Sequence, residues 1–325
     1  MKKILVTGGT GFIGSTIVKA LIKEGHRVRV LDNQSRGSLR RLGDVKGEFE
    51  FTEGDIRDAK IVDKACGDID SVIHLAYING TEFFYSKPEL ILEVGVKGMI
   101  NVLDACIKNE IGEIFLASSS EVYQTPSKVP TPENVPLIVP DPLNPRFSYG
   151  GGKIISELLL LNYGRKFFRR AIIFRPHNVY GPDMGWEHVI PQMILRMKSM
   201  VTKQNTVNFP IQGSGEQTRA FIFIDDFVNG FMTIFKKGKH LEIYNIGTQD
   251  EIKIKDLASL IGKIFNKKIK LIKQQLPQGS TLRRCPDITK LKKLKFKAEV
   301  SLMTGLQKTI EWYNAWAHLQ NNEKE

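Results

Sequence analysis

Tyr149 and Lys153 stand four residues apart at the start of a helically patterned segment, which puts both side chains on one face. A cation beside a phenol favours the phenolate and brings a pKa of about 10 down toward neutrality. Such a tyrosine can take a proton from a sugar or alcohol hydroxyl. Upstream, the hydroxyl cluster Ser118-Ser119-Ser120 and then Glu121, Val122 and Tyr123 follow the apolar run Ile114-Phe115-Leu116-Ala117. That run reads as a buried parallel strand. Open α/β sheets bind ligands at the carboxyl ends of their strands, so the serines are expected to face a crevice. A tyrosine and lysine at this spacing are usually structural, and the pair gains weight only from the rest of the chain.

Several elements must position these groups. Ile4-Leu5-Val6 is a short buried strand, and Thr7 to Gly14 form a glycine-rich turn that opens an amphipathic helix marked by Ile17, Ala20 and Leu21. Glycines at 8, 11 and 14 permit a tight turn and let backbone amides approach a pyrophosphate at the positive end of the helix dipole. A second strand, Arg27 to Leu31, ends at Asp32, where a carboxylate would meet ribose hydroxyls and repel the extra phosphate of NADP. The cofactor read from this position is NAD, with Arg36 the one neighbour pulling the other way. Phe49-Glu50-Phe51 leads to Gly54-Asp55-Ile56, and Ser71 to Ala76 form a fourth strand whose His74 reads as a core histidine.

Strand and helix alternate through Phe174, which predicts an α/β fold built on a doubly wound parallel sheet. Residues 1–176 are expected to form a dinucleotide-binding Rossmann domain, with some later strands and helices crossing back. Residues 177–316 are expected to form a smaller α/β substrate-binding domain, and 317–325 a polar tail. In the second half, helices are predicted from Ile190 to Met197, Asp225 to Phe235 and Ile254 to Phe265. Short strands are predicted from Phe221 to Ile224 and Ile243 to Ile246. The proline-rich stretch from Pro126 to Pro145 is long for a loop, and reads as a lid or substrate loop.

Hydrophobic content of 42% and charged content of 25% describe a soluble globular protein. The formal net charge of +12 comes from dispersed lysines without an aromatic-basic module, which argues against nucleic acid and suits an anionic substrate. The three cysteines, Cys66, Cys106 and Cys285, are widely spaced, which suggests reduced thiols in a cytoplasm and no metal site. No apolar run reaches membrane-spanning length, and the apolar stretch after Lys3 is too short for a signal peptide.

Taken together, these motifs resemble the extended short-chain dehydrogenases/reductases of the nucleotide-sugar epimerase and dehydratase group. The resemblance rests on residues 7–14, Asp32, Gly54-Asp55-Ile56, His74-Leu75-Ala76, Asn101-Val102-Leu103, residues 118–123, Tyr149 with Lys153, and residues 175–182. Residues 217–221 with Asp225 and Asp226, Tyr244 to Gly247 and Arg283 to Asp287 extend it over nearly the whole chain. The resemblance implies that Gly8, Gly11, Phe12, Ile13, Gly14, Asp32, Asp55, Ile56, Leu75 and Ala76, together with Tyr149 and Lys153, hold NAD. Ser119 would bond the reacting hydroxyl, Tyr149 act as base and Lys153 grip the nicotinamide ribose. Ser120, Asn178, Arg219 and Arg284 would meet a nucleoside-diphosphate sugar. It also implies a homodimer through the broadly apolar segments Ile91 to Ile107 and Ile154 to Phe168.

The departures from that pattern are informative. Gln124 stands where a glycine is usual, and Gly95 where an asparagine is common. Gly150, Gly151 and Gly152 open a helix, and their missing side chains are expected to make room for cofactor or substrate. Glu121 resembles the carboxylate of UDP-glucuronate decarboxylases and several sugar 4,6-dehydratases, which can remove a C5 proton once C4 is a ketone. Ser120 replaces the aspartic acid that precedes it in dTDP-glucose dehydratases. Epimerisation, dehydration and hexuronate decarboxylation therefore all remain open. So does an NAD-sensing binding protein without catalysis, which the joint presence of Ser119, Tyr149 and Lys153 disfavours.

Overall fold

Strands buried on both faces need near-continuous apolar runs, and this chain supplies them at regular intervals. The computed structural model describes residues 1–200, 205–275 and 281–319; residues 320–325, most of the expected polar tail, lie outside the described residues. β1 (Lys3–Thr7), β2 (Arg27–Asp32), β3 (Phe49–Glu53), β4 (Ser71–His74), β5 (Glu113–Ala117) and β6 (Arg170–Pro176) join Ile243–Ile246 in one seven-stranded sheet. Its order in space is Ile243–Ile246, β6, β5, β4, β1, β2, β3, with every pairing parallel. This is the doubly wound arrangement the sequence predicts. The chain winds outward in both directions from β1 and β4, and a crevice opens above their carboxyl ends.

Side chains lock that switch point. Thr7 Oγ1 shares a 2.8 Å hydrogen bond with His74 Nδ1 and accepts from the amides of Leu75 and Ala76 at 3.2 and 3.3 Å. Burial, with help from the nearby Lys153 charge, pushes the His74 imidazole down to about 3. His74 is thus a neutral structural group, as its place in an apolar run suggests.

The second half partly returns to the first. The helices Val189–Ser199, Ile224–Lys237 and Ile254–Ile264 form where expected. The strand expected over 221–224 shrinks to Ile222–Phe223, because Ile224 already opens a helix with Asp225 and Asp226 in its first turn. Ile243–Ile246 pairs with β6 through Ile243 opposite Ile173. One apolar core therefore runs from Ile4 and Val6 on one sheet face through Phe174, Phe227 and Phe231 to Leu257 and Tyr313. The opposite face packs Leu5, Val72 and Ile114 against Val102, Leu103 and Leu160.

Two irregular segments bear on the site. The stretch from 88 to 108 is not one helix: Pro88–Leu92 and Gly98–Lys108 are joined by a π-helical turn, Glu93–Lys97. The proline-rich loop is not a free lid along its length. Thr131 exchanges backbone hydrogen bonds with Cys285 and Asp287, and the Glu133 carboxylate accepts from the Asn245 amide at 2.9 Å. Among the described residues, no helix is long and apolar enough to cross a membrane.

Candidate active site

The glycine turn between β1 and the helix α1 (Phe12–Lys23) is shaped by close backbone approach. A methyl on Gly14 would lie 2.1 Å from the Gly8 carbonyl oxygen, and one on Gly8, whose φ is +72°, would lie 2.7 Å from the Ala76 nitrogen. Asp32 closes β2 with its carboxylate buried, accepting from the amides of Thr10 at 3.0 Å and Gln34 at 2.7 Å. Asp55, beyond β3, is held by Arg57 at 2.9–3.0 Å and Asn33 at 3.1 Å. Asn101 donates to the Ile56 carbonyl at 2.9 Å, which fixes the following turn.

These groups line a cleft of about 520 Å³ over the switch point. All the residues expected to hold the cofactor are on its wall: Gly8, Gly11, Phe12, Ile13, Gly14, Asp32, Asp55, Ile56, Leu75, Ala76, Tyr149 and Lys153. Ser119, Ser120, Glu121, Asn178 and Arg284 line it too. Arg219 does not reach the wall; its guanidinium donates to the carbonyls of Thr218 at 2.8 Å and Thr281 at 2.6 Å.

Ser119, Tyr149 and Lys153 converge from two elements. Ser119 caps the turn Ser120–Val122 after β5, its Oγ accepting from the Glu121 amide at 3.1 Å. Tyr149 lies in the first turn of the helix Ser148–Phe167, stacked on Phe84 at 5.1 Å and edge-on to Tyr77 at 5.2 Å. Lys153, one turn on and 3% exposed, donates to the Ala117 carbonyl at 2.6 Å. Its Nζ lies 3.9 Å from the Tyr77 ring centre and 6.0 Å from that of Tyr149.

This geometry corrects the expected electrostatics. Burial pushes the Tyr149 phenol above its usual value, against a hydrogen bond to Ser119 that lowers it, and the Glu121 charge raises it further. Burial likewise pushes Lys153 down to about 7, while Glu157 favours its charge. The aromatic packing that orients Tyr149 also desolvates it, and the Lys153 ammonium turns to Ala117 and Tyr77. In this state Tyr149 holds its proton.

Beyond Ser119, Arg284 donates to Glu121 at 2.5 Å and to Thr281 Oγ1 at 3.0 Å. Burial alone would raise the Glu121 carboxyl, but Arg284, with Arg146 and Arg219 behind it, outweighs this and holds it below the usual range. Burial and the charges of Arg284 and Arg146 push Arg219 down to about 10, although Glu121 opposes them. Asn178, at φ +41°, donates to the Ala220 carbonyl at 2.9 Å. The Ser118 Oγ is buried on the cleft wall with no partner among the described residues.

The glycines of the helix start serve the protein itself. A methyl on Gly150 would lie 2.7 Å from the Gln124 amide nitrogen, which donates to the Glu121 carbonyl at 2.6 Å. A methyl on Gly152 would lie 2.2 Å from the Tyr77 hydroxyl, and one on Gly95 2.1 Å from it. The room expected for a ligand at 150 and 152 is filled by Gln124 and Tyr77. Sequence reasoning missed Tyr77 and Phe84 as wall residues and Arg146 as a site charge. The available signals were Tyr77 directly after His74-Leu75-Ala76, and Arg146 three residues before Tyr149.

The glycine cradle, the carboxylate ending β2 and the unpartnered Ser118 hydroxyl fit a dinucleotide, and the cofactor is NAD. Residues 4–247 match the NAD dependent epimerase/dehydratase family. A UDP-N-acetyl-alpha-D-glucosaminuronate decarboxylase of Bacillus cytotoxicus is 31% identical over 322 residues, covering 96% of this chain and 98% of the relative. The crystal structure of a dTDP-glucose 4,6-dehydratase from Streptomyces venezuelae with NAD bound superimposes with a TM-score of 0.87 at 26% identity, covering 99% of both chains. A UDP-glucose 4-epimerase from Thermotoga maritima, solved with UDP-glucose, gives 0.85 at 28%, covering 96% of this chain and 99% of that one. Motif, cleft and likeness agree that this chain is an NAD-dependent enzyme and belongs to the NAD dependent epimerase/dehydratase family.

Proposed function

We propose that the protein converts a nucleoside-diphosphate hexose through a 4-keto sugar, as an epimerase or dehydratase. The observation that carries this is the convergence of Ser119, Tyr149 and Lys153 on one cleft wall beside Glu121. NAD, when bound, supplies the hydride acceptor and later donor. Ser119 holds the sugar hydroxyl, and Tyr149, after releasing to solvent the phenol proton it holds in the free protein, takes the hydroxyl proton; Lys153 holds the ribose. Asn178, Arg284 and the more deeply set Arg219, all from residues 177–316, are proposed to meet the sugar nucleotide. Once C4 is a carbonyl the C5 proton is acidic, and Glu121 is the proposed base that would remove it. Ser120 is too weak an acid to protonate a departing hydroxide, which weighs against dehydration.

A second reading, decarboxylation of a nucleotide hexuronate, is favoured by the charge count around Glu121. Arg284, Arg146 and Arg219 surround a single carboxylate, which suits a further anionic group on the sugar. A 4-keto uronate loses its carboxylate as carbon dioxide, leaving the bonding electrons in an enolate that is then protonated at C5. That route needs no acid for a leaving hydroxide.

Assembly is proposed as a homodimer. Leu92, Ile155 and Leu158 are 38%, 41% and 56% exposed on neighbouring helices, a surplus that a second copy would cover. The three unpaired, buried cysteines support a reducing cytoplasm as its location. The experiment that tests the function is incubation with UDP-, dTDP-, GDP- and CDP-sugars and uronates, with products identified by mass and NMR. Inverted stereochemistry at unchanged mass, loss of water and loss of carbon dioxide separate the three outcomes. Failure to transform any of them would overturn the proposal.

A further inference from the structure

We propose that Tyr77 is a positioning residue for Lys153, its ring forming the second wall of the seat in which the ammonium rests. Among the described residues Lys153 makes one hydrogen bond, to the Ala117 carbonyl, and its Nζ lies 3.9 Å from the centre of the Tyr77 ring. A desolvated cation over an aromatic face is held by the ring quadrupole. Among the described residues no carboxylate takes that place. Glu157, on the same helix, is gripped by Arg175 of β6 at 2.8 and 2.6 Å, and Glu121 is paired with Arg284. Of the other titratable neighbours, His74 at the end of β4 is neutral, and Tyr149 on the same helix holds its proton. From β5 comes only the Ala117 carbonyl and the serine hydroxyls that follow it.

The ring is fixed by a socket. Its hydroxyl sits between Gly95, in the π-helical turn, and Gly152, in the catalytic helix; neither glycine is in the left-handed region, so the phenol and not the backbone demands them. Ser156 Oγ lies 3.2 Å from the Gly95 carbonyl oxygen and 2.9 Å from that of Gly152, its one proton shared between them, which ties the two walls together. The Tyr77 hydroxyl itself is buried with no hydrogen-bond partner among the described residues. Its contribution inside the protein is therefore one of shape, and the contact that matters to Lys153 is the ring.

This inference rests on Lys153 holding the cofactor as a cation. The test is NAD affinity by calorimetry from about pH 6 to about pH 10, a span around the ordinary lysine range and below it, for the wild type, Tyr77→Phe and Tyr77→Leu. The affinity of the wild type should fall as Lys153 loses its proton, with a midpoint near the value of about 7 to which burial brings it. Tyr77→Phe keeps the ring and should keep the midpoint. Tyr77→Leu should lower it by about one and a half pH units, the size of a desolvated cation–π contact. Coincident midpoints in all three proteins, or equal shifts in both variants, overturn the role of Tyr77. A flat wild-type profile overturns the role of Lys153 and that of Tyr77 with it.

Thermal melting tests the socket without any ligand. Gly152→Ala should destabilise the wild type but not Tyr77→Phe, because without the hydroxyl the nearest atoms to the new methyl are 3.5 Å away. Gly95→Ala should destabilise both, since ring carbons of Tyr77 at 2.3 and 2.4 Å remain. A Gly152→Ala protein that melts like the wild type, or one that Tyr77→Phe does not rescue, overturns the socket.

Discussion

The two halves of the cleft are made of different material. The cofactor half is backbone: glycines packed at contact distance, and carboxylates already satisfied by amides and by Arg57 and Asn33. The half around Glu121 depends on side chains: Glu121 and Arg284 line it with Arg146 and Arg219 behind them, and the four come from distant parts of the sequence and meet through charge. The difference teaches where each half can change. Damage to the first is steric and local, whereas removal of one charge in the second unbalances all the others.

The largest effect is expected from Glu121→Gln, which keeps the hydrogen-bonding shape and removes the base. Solvent deuterium exchange at C5 should fall by about 10²–10⁴-fold, the usual worth of a positioned base, while reduction of NAD survives. Exchange at the wild-type rate would reduce Glu121 to a partner of Arg284. A plain 4-epimerase would show no C5 exchange even in the wild type, and its turnover would survive the substitution.

Gly14→Ala probes the other half. A methyl 2.1 Å from the Gly8 oxygen and 2.8 Å from Gly9 Cα must displace backbone. Overpacking of this kind costs about 1–3 kcal/mol, and carried into the cofactor cradle it corresponds to about a tenfold to hundredfold loss of NAD affinity. Calorimetry and melting together check it; unchanged affinity would mean that the turn is not the cradle. A smaller effect is expected at Asp32. NAD should bind well ahead of NADP, and Asp32→Asn should narrow that gap by roughly tenfold or less, the worth of about one charge–charge contact. Equal wild-type affinities for the two cofactors would contradict the reading of Asp32.

The same contrast explains what could be read in advance. β1, the glycine turn and Asp32 are legible because each depends on neighbours within about one supersecondary unit. Gly95, Gln124, Gly150 and Gly152 are visible in the sequence as departures, but their meaning is not. Gly95 and Gly152 answer to Tyr77, and Gly150 answers to Gln124, through contacts that only the packed helices create. The state of Tyr149 is hidden for the same reason: spacing places Lys153 beside it, yet burial by Tyr77 and Phe84 decides its proton. Arg146 is three residues from Tyr149, but its charge counts only because Arg219 and Arg284 arrive beside it.

The central claim is that Tyr149 moves the proton while NAD takes the hydride. Rapid mixing of NAD-loaded protein with its sugar nucleotide, followed by NADH absorbance, tests it most directly. The wild type should show absorbance that rises and then decays. Tyr149→Phe should bind NAD normally and form NADH about 10²–10⁴-fold more slowly. NADH formation at the wild-type rate in that variant, or product formed by the wild type without any NADH, would contradict the account.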